Sequence, residues 1–278
     1  MVCLYLSYLS ISIYPHTSIH PPTGRVDPFG RFVVGGYHSD AKKLVSAMYM
    51  LHSNDKGKLC VDTIFPNIGC MNSICFSHEK DLSNTKLYFT DSRWNPPKIC
   101  VVEDYGKIGK VHDKTPFAQW KFDGSAPDGS VVDVEGNVWT AHFGTGKVVR
   151  RNRNSGKIDF EILVPVPHVT CLAFGGQDMR TVYITNASLK KLPFNDPRVA
   201  QGLAGGLFSA RLPSHIAGGR AEYRFGCSSR RNFTTTTAFS SSHSSSSSRL
   251  KIFFSMAGLF GLFGVALWRQ RRVMSSRK

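Results

Sequence analysis

The sequence lacks the signatures of several common classes of protein. It has no Cys-x-x-Cys pair, and its seven cysteines are an odd number spread through apolar segments. Both features argue against a disulfide framework and favour free thiols in a reducing compartment. No Gly-x-Ser-x-Gly segment is present, so nothing supports a hydrolase of the Ser/His/Asp type. The histidines also lack the spacing of zinc ligands.

Acidic residues are few, and this imbalance is local. The chain has 19 Asp and Glu against 35 Lys and Arg, for a formal charge of +16. Much of the excess lies in residues 211–278, where Glu222 is the single acid among twelve Lys and Arg. The remaining body is mildly basic and has no Lys/Arg cluster interleaved with aromatic residues. We therefore expect no nucleic-acid partner.

The two ends of the chain differ in composition from its middle. Residues 1–21 form a low-complexity lead-in whose apolar part lacks the basic flank of a secretory signal. Residues 227–251 are rich in Ser and Thr and cannot bury enough apolar surface to offset the entropy of ordering, which predicts a flexible linker. An uncharged segment, 252–268, and a basic tail, 269–278, follow the linker.

The segment 252–268 has features of a C-terminal membrane-spanning helix. Its seventeen residues are at the short limit for crossing a bilayer, cations flank both of its ends, and Trp268 would lie at the interface. An apolar run without a membrane role is the alternative. The first interpretation predicts a chain attached to a membrane by this single helix and otherwise cytoplasmic. Its orientation stays open because basic residues lie on both sides.

The middle of the chain has no sustained 3.6-residue periodicity, and short alternating or β-branched runs predict an all-β domain. Three kinds of strand recur in order at a spacing of roughly 45 to 60 residues. The inner strands are predicted at 22–27, 72–77, 128–133 and 169–174. The second strands are predicted at 31–35, 86–91, 137–141 and 181–185. The third strands are predicted at 47–51, 98–102, 147–150 and 206–210.

A unit of several strands repeated in this way is typical of a β-propeller, in which blades surround a central channel. An irregular β-sandwich is the alternative. The segments 27–30 and 133–136 are predicted hairpin turns, because Asp can bond the local backbone and Gly supplies a positive φ.

Two polar residues occupy equivalent positions at the starts of inner strands. Asn72 begins the second of these strands and Asp128 the third, and the inner strands of a propeller begin around one mouth of its channel. Amide and carboxylate oxygens are ligands suited to Ca²⁺, Mg²⁺ or Mn²⁺. Residue types alone leave a purely structural Asp-Gly turn at 128–129 as the alternative.

The repeated segments resemble the regucalcin/gluconolactonase family, also called the senescence marker protein family. The resemblance covers residues 22–226 and implies a six-bladed β-propeller, of which about four blades are recognisable here. It also implies one bound divalent cation (Ca, Zn, Mn or Mg) and hydrolysis of sugar lactones. Asn72 and Asp128 fall on metal ligands of the family, and Asp128 falls on its favoured acid/base. The matching segments are 24–31, 87–92, 127–129, 133–139, 171–176 and 204–208.

The resemblance also implies residues that the sequence does not show. The family has a Glu metal ligand before the Asp-Pro-x-Gly-Arg segment, with no counterpart here, as if an N-terminal blade were lacking. His20 and Pro22 stand where a substrate-contacting Arg and Asn are expected, and Asp40 is the candidate for a substrate-binding Glu. Four inner segments and a closing strand predicted at 222–225 fall short of six blades.

The sequence therefore predicts a divalent-metal-dependent lactonase, a gluconolactonase-like ester hydrolase with an incomplete active site. The alternative is a non-catalytic, membrane-tethered propeller that acts as a Ca-binding or protein-interaction module.

Overall fold

The computed structural model describes residues 19–38, 44, 46–54, 56–111, 113–188 and 202–226. Within these residues the chain forms four antiparallel sheets, which we call blades 1 to 4. Each blade is a meander, because neighbouring strands in the sheet are also neighbours in sequence. The architecture is all-β and propeller-like, as the repeat predicts.

The first three blades have four strands and the fourth has three. Blade 1 contains β1 (Ile19–Val26), β2 (Phe32–His38), β3 (Ser46–Ser53) and β4 (Leu59–Ile68). Blade 2 contains β5 (Met71–Phe76), β6 (Leu87–Asp91), β7 (Lys98–Val102) and β8 (Thr115–Gln119). Blade 3 contains β9 (Ala126–Val132), β10 (Val138–Phe143), β11 (Lys147–Arg151) and β12 (Ile158–Leu163). Blade 4 contains β13 (Val169–Gly175), β14 (Thr181–Asn186) and β15 (Leu207–Arg211).

The innermost strands β1, β5, β9 and β13 lie side by side in this order. A short α-helix, α1 (Tyr105–Ile108), and a 3-10 turn, Leu82–Asn84, connect strands of blade 2. All twelve predicted strands of the three recurring kinds are confirmed within a few residues. The sandwich alternative is wrong, because four sheets follow one another around their inner strands instead of stacking as two layers.

The blades pack face to face through three apolar clusters. Met48, Phe89 and neighbouring side chains fill the space between blades 1 and 2, and a smaller cluster around Tyr88 and Val138 lies between blades 2 and 3. The third cluster surrounds Trp139 between blades 3 and 4. Each large side chain buried in this way contributes about 1.5 to 3 kcal/mol relative to an exposed one. The central strands of blades 2 and 3 are buried on both faces for this reason.

The predicted hairpin turns are confirmed, and their Asp residues do more than shape the turn. The carboxylate of Asp27 accepts bonds from the backbone N–H and the Nε of Arg31 and from the Tyr105 hydroxyl. Gly30 supplies the positive φ that the turn needs. The turn 133–136 repeats this arrangement between β9 and β10. Each Asp therefore links its turn to side chains of other strands or helices.

The closing strand predicted at 222–225 is wrong. After β15 the chain belongs to no strand from Leu212 to Gly226, and its backbone forms hydrogen bonds with turns of blades 3 and 1. Isolated backbone bonds hold it, among them Gly219 N–H to the Met179 carbonyl at 2.8 Å. Side chains hold it as well: Glu222 pairs with Arg25 at 2.9 Å, and the Tyr223 hydroxyl lies 3.0 Å from His78 Nδ1. These contacts lie near the carboxyl ends of the inner strands β1 and β5, the opposite ends from the bulges.

Several predictions about the ends of the chain concern residues outside those described. The linker 227–251, the helix 252–268 and the tail 269–278 all lie there, as does most of the lead-in 1–21, although β1 already starts at Ile19. In the part of the chain that the structure describes, no helix has the length and apolar character needed to cross a bilayer.

His142 is buried between blades 2 and 3, where its ring stacks on Trp120 with centroids 4.9 Å apart. Neither ring nitrogen has a hydrogen-bond partner among the described residues. Burial lowers the pKa of His142 to about 3, the charges of Arg151 and Lys147 act in the same direction, and Asp123 opposes them. The folded chain therefore favours the neutral form of the His142 ring.

We expect acid to destabilise the fold through His142. The unfolded chain binds this proton near the ordinary pKa of 6.5, whereas the folded chain resists it to about 3. Stability is therefore lost as the pH falls below 6.5, by about 1.4 kcal/mol per pH unit. His142→Phe should flatten the dependence of the unfolding free energy on pH between 6.5 and 4, as measured by urea denaturation. His215→Phe, at an exposed histidine, should not, and equal slopes in both variants would contradict the assignment.

Candidate active site

Each inner strand has a β-bulge near its start. One extra residue of the inner strand opposes the second strand of the same blade, within 20–23, 72–75, 127–130 and 169–171. A bulge changes the direction of a side chain and occurs often beside functional sites. Asn72 and Asp128 both lie at these bulges and therefore at the same mouth of the channel.

The bulge in β9 confirms the predicted inner strand and excludes the alternative of an Asp-Gly turn at 128–129. Asp128 and Gly129 lie inside the strand, between the pairs formed by Pro127 and Ser130 with β10. A Cβ at Gly129 would overlap the side chain and backbone of Cys171 on β13. The glycine thus permits close approach of two inner strands beside Asp128.

Asn72 is buried at the start of β5, with 6% of its surface exposed. Its Nδ2 donates to Ser92 Oγ at 3.0 Å and contacts Cys70 Sγ at 3.8 Å. None of the described residues donates a hydrogen bond to its Oδ1. The preceding loop is anchored by the buried carboxylate of Asp91, which accepts the backbone N–H groups of Gly69 at 2.8 Å and Cys70 at 3.0 Å.

Asp128 carries a carboxyl group in an environment that disfavours its charge. No ion pair joins it to a Lys or Arg within the described part of the chain. Burial raises the pKa of Asp128 to about 7, and the backbone N–H of Gly129 opposes this rise. Without a bound cation the group therefore changes its charge near neutral pH.

The cysteines near the site are poor candidates for metal ligands. Burial and the charges of Asp128 and Asp91 raise the pKa of the Cys70 thiol to about 12. Burial also raises the pKa of Cys171. Thiolates are soft ligands, whereas Ca²⁺, Mg²⁺ and Mn²⁺ prefer oxygen, so binding of such a cation would depend on the oxygen atoms of Asn72 and Asp128.

These oxygen atoms suit a hard divalent cation in kind, but they are few. Ca²⁺ takes about six to eight oxygen ligands, and Mg²⁺ keeps several waters. Among the described residues there is no group of three or more His, Cys, Asp or Glu that could hold a metal ion. Asn72 and Asp128 could hold such an ion only with further oxygen ligands, such as water or substrate.

The structure brings Asn72 and Asp128 together on neighbouring strands. β5 and β9 are in contact, and β9 accepts hydrogen bonds from the hydroxyls of Ser73, on β5, and of Ser92, which follows β6. The roles of the two residues as ligands, and of Asp128 as a base, stay predictions. Asp40 lies outside the described residues.

Sequence reasoning missed the two serines. Ser73 Oγ donates to the Asp128 carbonyl at 2.6 Å, and Ser92 Oγ donates to the Pro127 carbonyl at 2.7 Å. Ser73 follows Asn72 directly, and Ser92 ends the matching segment 87–92. Both were therefore adjacent to residues already singled out, but nothing in the sequence shows which carbonyl each would reach.

The fold and the site define a class of protein: a β-propeller with a polar site at one mouth of its channel. Within that class, the chain belongs to the SMP-30/gluconolactonase/LRE-like family, whose model matches residues 8–188. This match confirms the resemblance found in the sequence.

Relatives in this family include sugar lactonases. The putative sugar lactone lactonase YvrE of Bacillus subtilis is 31% identical over 198 residues, which cover 71% of this chain and 63% of the relative. The L-arabinolactonase of Azospirillum brasilense is 30% identical over 205 residues, which cover 72% and 63%. The chain thus spans a little over three fifths of the length of these relatives.

A solved structure supports the same fold. Regucalcin from Agrobacterium tumefaciens, a calcium-binding protein, matches with a TM-score of 0.63 at 27% identity, over 75% of this chain and 65% of that one.

Proposed function

We propose that this chain carries a site that hydrolyses sugar lactones with one divalent cation. Asn72 and Asp128 are its oxygen ligands in the described residues, Asp128 is its general base, and Asp40 contacts the substrate. The observation that carries the proposal is the placement of Asn72 and Asp128 at the bulges of two inner strands, β5 and β9, that contact each other. Relatives of this chain include named sugar lactonases, which supports the class of substrate.

The chemistry assigned to Asp128 is proton transfer. A divalent cation, when bound, would polarise the lactone carbonyl. The ionised carboxylate of Asp128 accepts a proton from water as the water oxygen bonds to the carbonyl carbon. The ring C–O bond then breaks, and Asp128 returns the proton to the leaving oxygen. The product is the open hydroxy acid.

The test is hydrolysis of glucono-1,5-lactone and arabinono-1,4-lactone by the full chain, followed with a pH indicator. We expect hydrolysis above the spontaneous rate with Ca²⁺, Mg²⁺, Mn²⁺ or Zn²⁺, its loss with EDTA and its return when the cation is restored. Hydrolysis that is indifferent to EDTA would remove the cation from the proposal. Rates equal to the spontaneous rate with every cation and both lactones would exclude the proposed lactonase activity.

A second candidate function is a non-catalytic module that binds Ca²⁺ or a protein. The observation that favours it is the small donor set, since Asn72 and Asp128 are fewer ligands than a tight site needs. Calorimetry that detects Ca²⁺ binding lost in Asn72→Ala, together with spontaneous rates of lactone hydrolysis, would select this candidate.

A further inference from the structure

Two serine hydroxyls of blade 2 hold the segment of blade 3 that carries Asp128. Ser73 Oγ donates to the carbonyl of Asp128 itself, and Ser92 Oγ donates to the carbonyl of Pro127. These carbonyls are consecutive on β9, so the backbone is fixed on both sides of the Asp128 Cα. Asn72 lies on the strand that carries Ser73. The two bonds therefore set the position of Asp128 relative to Asn72.

The Ser92 hydroxyl also fixes the orientation of the Asn72 amide. A serine hydroxyl has one proton, and here the Pro127 carbonyl accepts it. The atom of Asn72 that lies 3.0 Å from Ser92 Oγ must then be a donor, which identifies it as Nδ2. Oδ1 is left without a donor among the described residues.

The backbone at Ser73 is consistent with a constrained site. Ser73 is fully buried and has a φ of 57°, which lies in the left-handed region that residues other than glycine seldom adopt. Such conformations persist only where the surroundings impose them, and they cluster at functional sites. The bond from its Oγ to Asp128 supplies one such constraint.

We propose that Ser92 is a positioning residue that turns Asn72 Oδ1, rather than Nδ2, to the cation, and that Ser73 helps to hold Asp128 at a fixed distance from it. The inference rests on the proposed function and deepens it. If the Ser92 hydroxyl were lost, only the 3.8 Å contact of Nδ2 with Cys70 Sγ, a weak acceptor, would distinguish the two orientations of the amide. In the other orientation Nδ2 would repel the cation.

The test is the affinity of the full chain for Ca²⁺ and Mn²⁺, measured by calorimetry beside thermal unfolding. Ser92→Ala should weaken binding by about 10- to 100-fold, the usual effect of removing a group that orients a ligand. Ser92→Thr keeps the hydroxyl and should restore affinity. Ser130→Ala is the matched control, because that buried hydroxyl donates to Thr140 inside blade 3 and forms no hydrogen bond with Asn72 or Asp128.

Asn72→Asp provides a second measurement. A carboxylate presents an oxygen in both of its orientations, so Ser92→Ala should change cation affinity far less in this background than in the wild type. Where Ser92→Ala does not fold, Ser92→Cys takes its place, since a thiol is only a weak donor and acceptor.

The outcomes separate the inference from the proposed function. The inference alone would be overturned if Asp128→Asn abolished cation binding while Ser92→Ala bound the cation as tightly as Ser130→Ala. The inference would also be overturned if Ser92→Ala weakened cation affinity equally in the wild type and in the Asn72→Asp background, because orientation of the amide would then not be the cause. If the wild-type chain bound neither cation, both the proposed cation site and the positioning role of Ser92 would be excluded.

Discussion

Asp128→Asn should lower kcat for lactone hydrolysis by about 10²- to 10⁴-fold, the usual contribution of a general base. The amide has nearly the shape of the carboxyl but cannot accept a proton from water. The measurement is the initial rate at saturating lactone and cation. Asp113→Asn, at an exposed acid outside the site, is the matched control and should retain the wild-type rate.

The same substitution should have a pH-dependent effect on stability when no cation is added. Folding raises the pKa of Asp128 from its ordinary 3.8 to about 7, so the fold favours the protonated form. The contribution of this group to stability is complete below pH 3.8 and is lost as the pH rises through 7. Asp128→Asn should therefore raise the Tm at pH 8 more than at pH 4. In the assay of lactone hydrolysis, by contrast, full activity of Asp128→Asn would exclude Asp128 as the base.

Most inner, second and third strands could be predicted because they are buried and carry dense apolar patterns, whereas the exposed strand β15 alternates between exposed and half-buried residues. β6 and β10, for instance, are buried almost throughout. The outermost strands were missed for the opposite reason. β4 and β12 are largely exposed, and their sequences mix polar and apolar residues, so they need the hydrogen bonds of their neighbours to become strands.

Only those site residues could be predicted that occupy the same position in successive repeats. Asn72 and Asp128 were found because both stand at the start of an inner strand. The bulges that contain or adjoin them depend on pairing between strands, and an Asp-Gly pair is also common in turns. Ser73 and Ser92 reach carbonyls of another blade, 55 and 35 residues further along the chain, and such contacts have no local signal.

The turn after β9 shows how one predicted residue can have a larger role than its local pattern indicates. The fully buried carboxylate of Asp133 accepts the backbone N–H groups of Glu135 and Asn137 at 3.0 and 2.9 Å. It also accepts Trp139 Nε1 at 3.0 Å and Arg150 Nε at 2.9 Å. One carboxylate thus joins the turn, the largest buried ring of the core and a cation of β11.

Asp133→Ala should destabilise the fold by about 3 to 5 kcal/mol, the usual cost of removing one partner of a buried ion pair. The substitution leaves the Arg150 guanidinium, with 9% of its side chain exposed, without its most buried partner, and it leaves Trp139 Nε1 unpaired. The measurement is the free energy of unfolding in urea.

Glu135→Ala is the matched control for Asp133→Ala, because its carboxylate binds the same guanidinium at 2.7 Å but is 62% exposed. Exposed pairs contribute about 0 to 1 kcal/mol, so this variant should unfold close to the wild type. Equal losses in both variants would show that charge pairing with Arg150, rather than burial of the Asp133 carboxylate and its backbone bonds, stabilises the turn. A large loss of stability in Asp133→Ala alone would show that this buried carboxylate, with its many donors, stabilises the fold. The two aspartates near the ends of β9 would then have different roles, because Asp128 has few donors and can change its charge.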